Sequence, residues 1–263
     1  QEIPSYLASV AVGDFLVLCD TCNAKPIELW VRPIDSIKAI NTFAKLCEVV
    51  SVFENAFGPY PFDRIGYVCV PFDGGAMEHA ANIAFPNASL MATVSNETLY
   101  AHELSHHWFG DLITCSNEGD MWINEGWASF CENIFLEGIY GKDAALEHIK
   151  GNHKKVLQYA HITDDDYRPL SPMPHEYTYG TTVYDKGADV VHTLRYYMGD
   201  SLFFEAVRKV LAKHAFEPVS SFQLRDYLSQ ESDIDLAFFF DAWVFSKGFF
   251  NFSVDSFSCI PNG

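Results

Sequence analysis

Two histidines and a glutamate constrain this chain more tightly than any other residues in it. His102-Glu103-Leu104-Ser105-His106 lies inside the stretch from Tyr100 to Gly110, and Asn124-Glu125-Gly126 follows with 18 residues between His106 and Glu125. On a helix, positions four apart share a face about one turn apart, so His102 and His106 aim two imidazoles at one point. Two imidazoles and a carboxylate suit Zn²⁺, which takes its donors in a tetrahedron, and three protein ligands leave the fourth position for water. Glu103 falls beside that point, where a carboxylate can take a proton from the water. The fold must therefore press the segment carrying Glu125 against the end of the segment carrying the histidines.

The flanks predict two helices. Ser95-Asn96-Glu97 supplies a cap and an early acid for the first, and Gly110 closes it. The second is expected to start near Asp120 and to run from Met121 to Tyr140, with Gly141 as its stop. Glu132 is seven residues after Glu125 and shares its face; it reads either as the acceptor for a zinc-ligating imidazole or as a solvated acid. His107, five residues after His102, points about 140° away and reads as a packing or surface histidine.

His102-Glu103-x-x-His106, 18 residues and Glu125 together resemble the gluzincin pattern of the M1 family of zinc aminopeptidases. Gly75-Ala76-Met77-Glu78-His79 is similar to the family's Gly-x-Met-Glu-Asn motif, with His79 where Asn is usual. Trp108-Phe109-Gly110-Asp111 and Tyr184-Asp185-Lys186-Gly187 also resemble it, in the family's order. The resemblance implies a thermolysin-like α+β fold, with a small sheet and a mostly helical C-terminal half. It implies one Zn²⁺ held by His102, His106 and Glu125, with Glu103 as base and Tyr184 as donor to the oxyanion. It further implies that Glu78 binds the free α-ammonium of a peptide, beside Gly75, Ala76 and Met77, and that the reaction is hydrolysis of the N-terminal peptide bond. On the residues alone, Glu78 would read as an exposed acid on a surface turn, Tyr184 as core or surface, and Lys186 as helix surface. Two rival readings stay open: a related zinc hydrolase (an endopeptidase or an enzyme like leukotriene A4 hydrolase), and a silent M1-like binding module. The complete set of ligands, base and tyrosine speaks against silence.

Composition narrows the partners. A formal charge of −18 argues against nucleic acid, whose phosphates are met by clustered Lys and Arg. The apolar run from Leu236 to Phe250 is interrupted by Asp241 and Lys247 and reads as a buried helix rather than a membrane span. Seven cysteines are scattered, and Cys19-x-x-Cys22 has no second pair to complete a zinc ribbon, so a disulfide or free thiols are expected there. The start at Gln1 leans toward an exported protein.

In chain order, residues 3–19 and 27–32 read as short strands joined by a turn at Asn23-Ala24-Lys25-Pro26. A helix is expected from Pro33 and Asp35 to Phe57, packed through Ile37, Ile40, Ala44, Cys47, Val50 and Phe53. Arg64 to Pro71 reads as a strand, and Ile83-Ala84-Phe85 as an edge strand beside the cleft. Further helices are expected at 142–161, 184–198, 201–214, 221–230 and 235–247, with Asp164-Asp165-Asp166 in a solvated loop. The division that follows is a tail of an N-terminal β domain at 1–33, a catalytic domain at 34–250 and the start of a further β segment at 251–263, with flanking domains outside this chain.

Overall fold

The computed structural model describes residues 3–72, 74–248 and 256. The expected start of a further β segment at 251–263 falls on residues outside that set, Ser256 excepted. The architecture is α+β, as expected: a small sheet, then a mostly helical half.

Leu16–Cys22 (β1) and Lys25–Val31 (β2) form an antiparallel hairpin. Its turn is tighter than predicted: only Asn23 and Ala24 lie outside the strands, both with positive φ (49° and 64°), as a two-residue hairpin turn requires. Residues 5–7 form a 3₁₀ turn rather than a strand. Ile65–Val70 (β3) pairs in parallel with β2, and Ile83–Pro86 (β4) in parallel with β3, giving the order β1-β2-β3-β4. Outside β4, Met77 bridges antiparallel to Ala84 through two backbone hydrogen bonds of 3.0 and 2.9 Å. The predicted edge strand is therefore covered by the Gly-Ala-Met-Glu segment itself.

The long helix expected over 33–57 is two helices. After a 3₁₀ turn at Pro33–Asp35, Ser36–Thr42 (α1) ends at a break over residues 43–45, and Leu46–Phe57 (α2) follows. The break resets the helical phase, so Ile37 and Ile40 point to solvent and Ala44 is exposed, while Ala39, Phe43, Val49, Val50 and Phe53 are buried. Cys22 bonds to Cys47, not to Cys19, and ties the hairpin to α2; Cys19 is free and exposed.

Val94–Ser105 (α3) and its C-cap His106 carry the first motif, and Glu125–Tyr140 (α4) begins with the third candidate donor. The cap of α3 is Thr93, whose hydroxyl accepts from Asn96 N–H, so the helix begins earlier than Ser95-Asn96-Glu97 suggested. Residues 118–123 form a 3₁₀ segment that turns the chain before α4, so the stretch from Asp120 to Ile123, expected to open the α-helix, lies outside it. α4 is apolar on nearly every side, with Trp127, Phe130, Phe135 and Leu136 buried, and it lies at the centre of the helical half. Lys142–Thr163 (α5), Gly187–Met198 (α6) and Asp200–Lys213 (α7) surround it. Ser221–Ser232 (α8) and the short Ala237–Trp243 (α9) complete the half, and α9 ends before the predicted 247. Ile113–Cys115 (β5) and Glu217–Val219 (β6) make a two-stranded parallel pair.

Trp108 and Phe109 are core residues that tie the end of the motif helix to α2 and α4. The Trp108 indole N–H donates to Gly58 O at 3.1 Å, and Phe109 stacks on Trp127 with ring centres 4.7 Å apart. Trp127 in turn stacks on Phe203 of α7 at 5.9 Å. Such pairs are worth about 0.5–1.5 kcal/mol each beyond their buried area. They hold the end of α3 and the start of α4 at one place.

Candidate metal and active site

At that place the predicted donors converge. His102 lies on the last turn of α3 and His106 caps its end, with their Nε2 atoms 3.1 Å apart, and Glu125 Oε2 is 3.4 and 3.3 Å from them. All three residues are buried. Each imidazole is aimed by its other nitrogen: His102 Nδ1 donates to Glu132 Oε1 at 2.8 Å, and His106 Nδ1 to Phe109 O at 3.0 Å. With both Nδ1 atoms engaged as donors, both Nε2 lone pairs face the shared point. Glu132 is thus the partner of His102 rather than a solvated acid, and its Oε2 is 3.4 Å from His148 Nε2 of α5, a residue that nothing in the sequence singled out.

Glu103, Glu78 and His106 also bring ligand-type atoms within 4.8 Å of one another, and all three are buried. Burial pushes Glu103 up to about 7, with Glu78 and Glu125 adding to the rise against the lowering by the two histidines. Burial alone would neutralise the imidazoles, but Glu125 and Glu78 reverse this for His106 and raise it to about 9. His102 is raised as well: burial opposes the shift, and Glu125 and Glu132 outweigh it. The site therefore collects positive charge onto its histidines unless a cation is supplied.

Tyr184 belongs to a π-helical turn, Thr182–Lys186, that leads into α6, so the predicted helix start is one turn of wider helix. Its ring lies parallel to His102 with ring centres 6.1 Å apart, and its hydroxyl lies in the field of Glu125. Burial, followed by the charge of Glu125, drives its pKa far above the ordinary phenol value. Two glycines make the approach possible. A Cβ on Gly187 would lie 2.8 Å from Gly126 Cα, and one on Gly126 would lie 3.0 Å from both Gly187 Cα and Val183 O. The motif glycines after Glu125 and after Tyr184 thus touch each other. Gly187→Ala is expected to cost about 1–3 kcal/mol through overpacking, lowering Tm by roughly 2–4 °C per kcal/mol. Calorimetry checks the stability, and an unchanged Tm would show that the two segments separate freely.

The turn that carries Tyr184 is capped by a residue read as solvated. Asp164 is buried, and its carboxylate accepts from Thr181 N at 3.2 Å and Thr182 N at 2.6 Å. Lys186 is likewise buried rather than on a helix surface; its ammonium donates to Arg168 O at 2.7 Å, and burial lowers it to about 8. His107 is a packing histidine, fully buried, and burial lowers it to about 3. A cleft of about 1150 Å³ opens onto the donors, lined among others by Gly75, Ala76, Met77, Glu78 and Tyr184. Tyr6 and Tyr179 also line it, and no motif had pointed to them.

The model of the peptidase family M1 domain matches residues 41–243. The chain belongs to peptidase family M1. Among M1 relatives, a probable aminopeptidase 1 of Sulfurisphaera tokodaii is 26% identical over 94% of this chain and 33% of its own length. Human aminopeptidase B is 28% identical over 94% of this chain and 41% of its own length. The chain thus spans about a third of the length of the curated M1 relatives it matches. In fold it is similar to a mutant M1 zinc metallopeptidase of Deinococcus radiodurans bound to a Tyr-Ser-Ala substrate, with a TM-score of 0.74 at 20% identity over 90% of this chain and 53% of that one.

The donor set fits the zinc of M1 metallopeptidases. Two imidazole nitrogens and a carboxylate oxygen converge from a buried wall that opens on a cleft, and each imidazole has Nδ1 engaged, so that Nε2 is the nitrogen offered to a metal. Glu132→Ala is expected to weaken zinc binding about 10–100-fold by releasing His102, which competition with a chelating dye measures. Zinc affinity should also depend on pH with a definite sign. Below about 9 the zinc-free site holds a proton on His106 that the metal must displace, so affinity rises with pH toward that value, by about a decade per unit for each proton released. Calorimetry in buffers of different ionisation enthalpy counts those protons, and a pH-independent affinity would contradict the geometry.

Among the described residues no helix is long and apolar enough to cross a membrane.

Proposed function

We propose that this chain is the catalytic part of a zinc aminopeptidase that removes the N-terminal residue from peptides with a free α-amine. The observation that carries the reading is the buried Glu78 carboxylate beside the zinc donors, within 4.8 Å of ligand-type atoms of Glu103 and His106. A fixed anion so close to the reacting carbonyl suits a substrate whose ammonium group lies one residue from the scissile bond. An internal stretch of peptide has no positive charge there to offset Glu78.

When bound, zinc would supply positive charge that acidifies the attacking water and polarises the scissile carbonyl. Glu103 takes the water's proton and returns it to the leaving amine nitrogen; a carboxyl poised near 7 can do both. Tyr184 keeps its proton and donates a hydrogen bond to the oxygen that becomes negative in the tetrahedral adduct. Glu78 holds the ammonium, the backbone of Gly75 and Ala76 lies along the substrate, and Met77 fixes that segment to β4. His102, His106 and Glu125 hold the metal, with Glu132 orienting His102.

We assign the catalytic unit to 34–250, with the leading hairpin joined to it through the β2–β3 pairing. The Cys22–Cys47 bond supports export to an oxidising compartment. The decisive experiment compares matched peptides with free and acetylated N-termini on zinc-loaded protein, following release of free amino acid. Cleavage confined to the free peptide supports the reading, whereas equal cleavage of the acetylated one would favour an endopeptidase.

A further inference from the structure

Glu78 can read an ammonium only if its loop is held at a fixed distance from the zinc donors. The loop is a hairpin tip: Met77 and Ala84 pair across its base, and a tight turn of residues 79–82 closes it, with Asn82 N donating to His79 O at 2.9 Å. Ala81 lies in the left-handed region at φ 53°, a conformation that an alanine keeps only when its surroundings impose it. Two features impose it. One is Gly66 on β3, whose missing side chain leaves room for Ala81 O. The other is His107.

The His107 ring is fully buried, edge-on to Tyr60 and Phe62 with ring centres 5.4 and 5.1 Å away. Its hydrogen bonds fix its tautomer. Tyr60 spends its one hydroxyl proton on Arg64 O at 3.0 Å, so His107 Nδ1–H is the donor in the 2.9 Å contact with Tyr60 Oη. Nε2 is then an acceptor, and it takes the Ala81 N–H at 3.3 Å. The next residue along the chain from the donor His106 therefore grips the tip of the loop that carries Glu78.

Granted the aminopeptidase reading, we infer that His107 is a positioning residue: through Ala81 it couples the amine-binding loop to the end of the zinc helix and so sets how tightly a free N-terminus is bound. It touches neither substrate nor metal. Its contribution should fall on KM for free-amine peptides and leave kcat and zinc content nearly unchanged.

His107 Nε2 also lies 3.6 Å from the buried Asp111 Oδ2, beyond hydrogen-bond reach, and two amide side chains separate the two hydrogen bonds. In His107→Gln the amide oxygen reaches the place of Nε2 and can accept from Ala81, whereas His107→Asn reaches only the place of Nδ1 and keeps the Tyr60 side. Both lose the ring, so a general loss of packing affects them alike. In His107→Asn, KM for a free-amine peptide should rise about tenfold, the size of one buried hydrogen bond, with kcat and zinc content held. Amide hydrogen exchange across residues 77–84 should accelerate in the same variant. His107→Gln should restore both toward the wild type. Equal KM values in the two variants, or a loss confined to kcat or to zinc, would overturn the inference. If the wild type cleaves acetylated peptides as well as free ones, the aminopeptidase reading fails by that control. The exchange comparison then still decides whether His107 holds the loop.

Discussion

In Glu103→Gln, zinc remains bound at full stoichiometry and turnover falls by about 10²–10⁴-fold, the usual worth of a positioned general base. Three features of the site make that separation of effects sharp. Glu103 is not one of the three converging donors, so its removal does not open the metal site. Glutamine has the same shape, and the site is buried, so little repacking follows. What disappears is the capacity to take a proton, which burial has tuned to about 7 in the carboxylate. Peptide affinity should change little, because Glu78 and the loop are untouched. Metal analysis with steady-state kinetics on the same preparation tests both halves. Retained turnover would remove Glu103 from the mechanism, and lost zinc would make it a ligand.

The site was legible from sequence where one helix carries the information and obscure where two distant segments share it. Spacing of four puts His102 and His106 on one face, and spacing of seven put Glu132 on the face of Glu125; the structure has both arrangements. Asp164 looked like one of three solvated acids. Its burial depends on the unpaired N–H groups of Thr181 and Thr182 and on Gly180, which leaves room for the carboxylate. No local pattern encodes that meeting. The contact of Gly126 with Gly187 is of the same kind: each glycine was visible inside a motif, but not that they face each other. The break between α1 and α2 escaped because an apolar period continues through Ala44 and Cys47 and cannot register a three-residue interruption. The cap at Thr93 competed with Ser95 two residues later, and both are good cap types. The Cys22–Cys47 pairing depended on tertiary contact alone.

Tyr184→Phe should lower kcat by about 10²–10³-fold, or roughly 2.7–4 kcal/mol of barrier, the cost of removing one oxyanion donor. KM and zinc content should stay close to the wild type. The phenyl ring keeps the parallel placement on His102 and the packing of the π-turn, so only the hydroxyl is lost. Burial and the charge of Glu125 keep that hydroxyl protonated before substrate binds. A hydrogen bond that strengthens as the carbonyl oxygen becomes negative is how a donor favours the transition state over the ground state. The hydroxyl is not one of the three converging donors, so zinc affinity should not fall when it is lost. A companion variant separates chemistry from placement. Asp164→Ala leaves the hydroxyl present but uncaps Thr181 and Thr182, so it should lower stability, typically by about 1 kcal/mol, and reduce kcat less than Tyr184→Phe does. If Tyr184→Phe instead raised KM in proportion to the loss in kcat/KM, the tyrosine would be binding the ground state. If it left kcat unchanged, the oxyanion would have to be met by groups other than Tyr184.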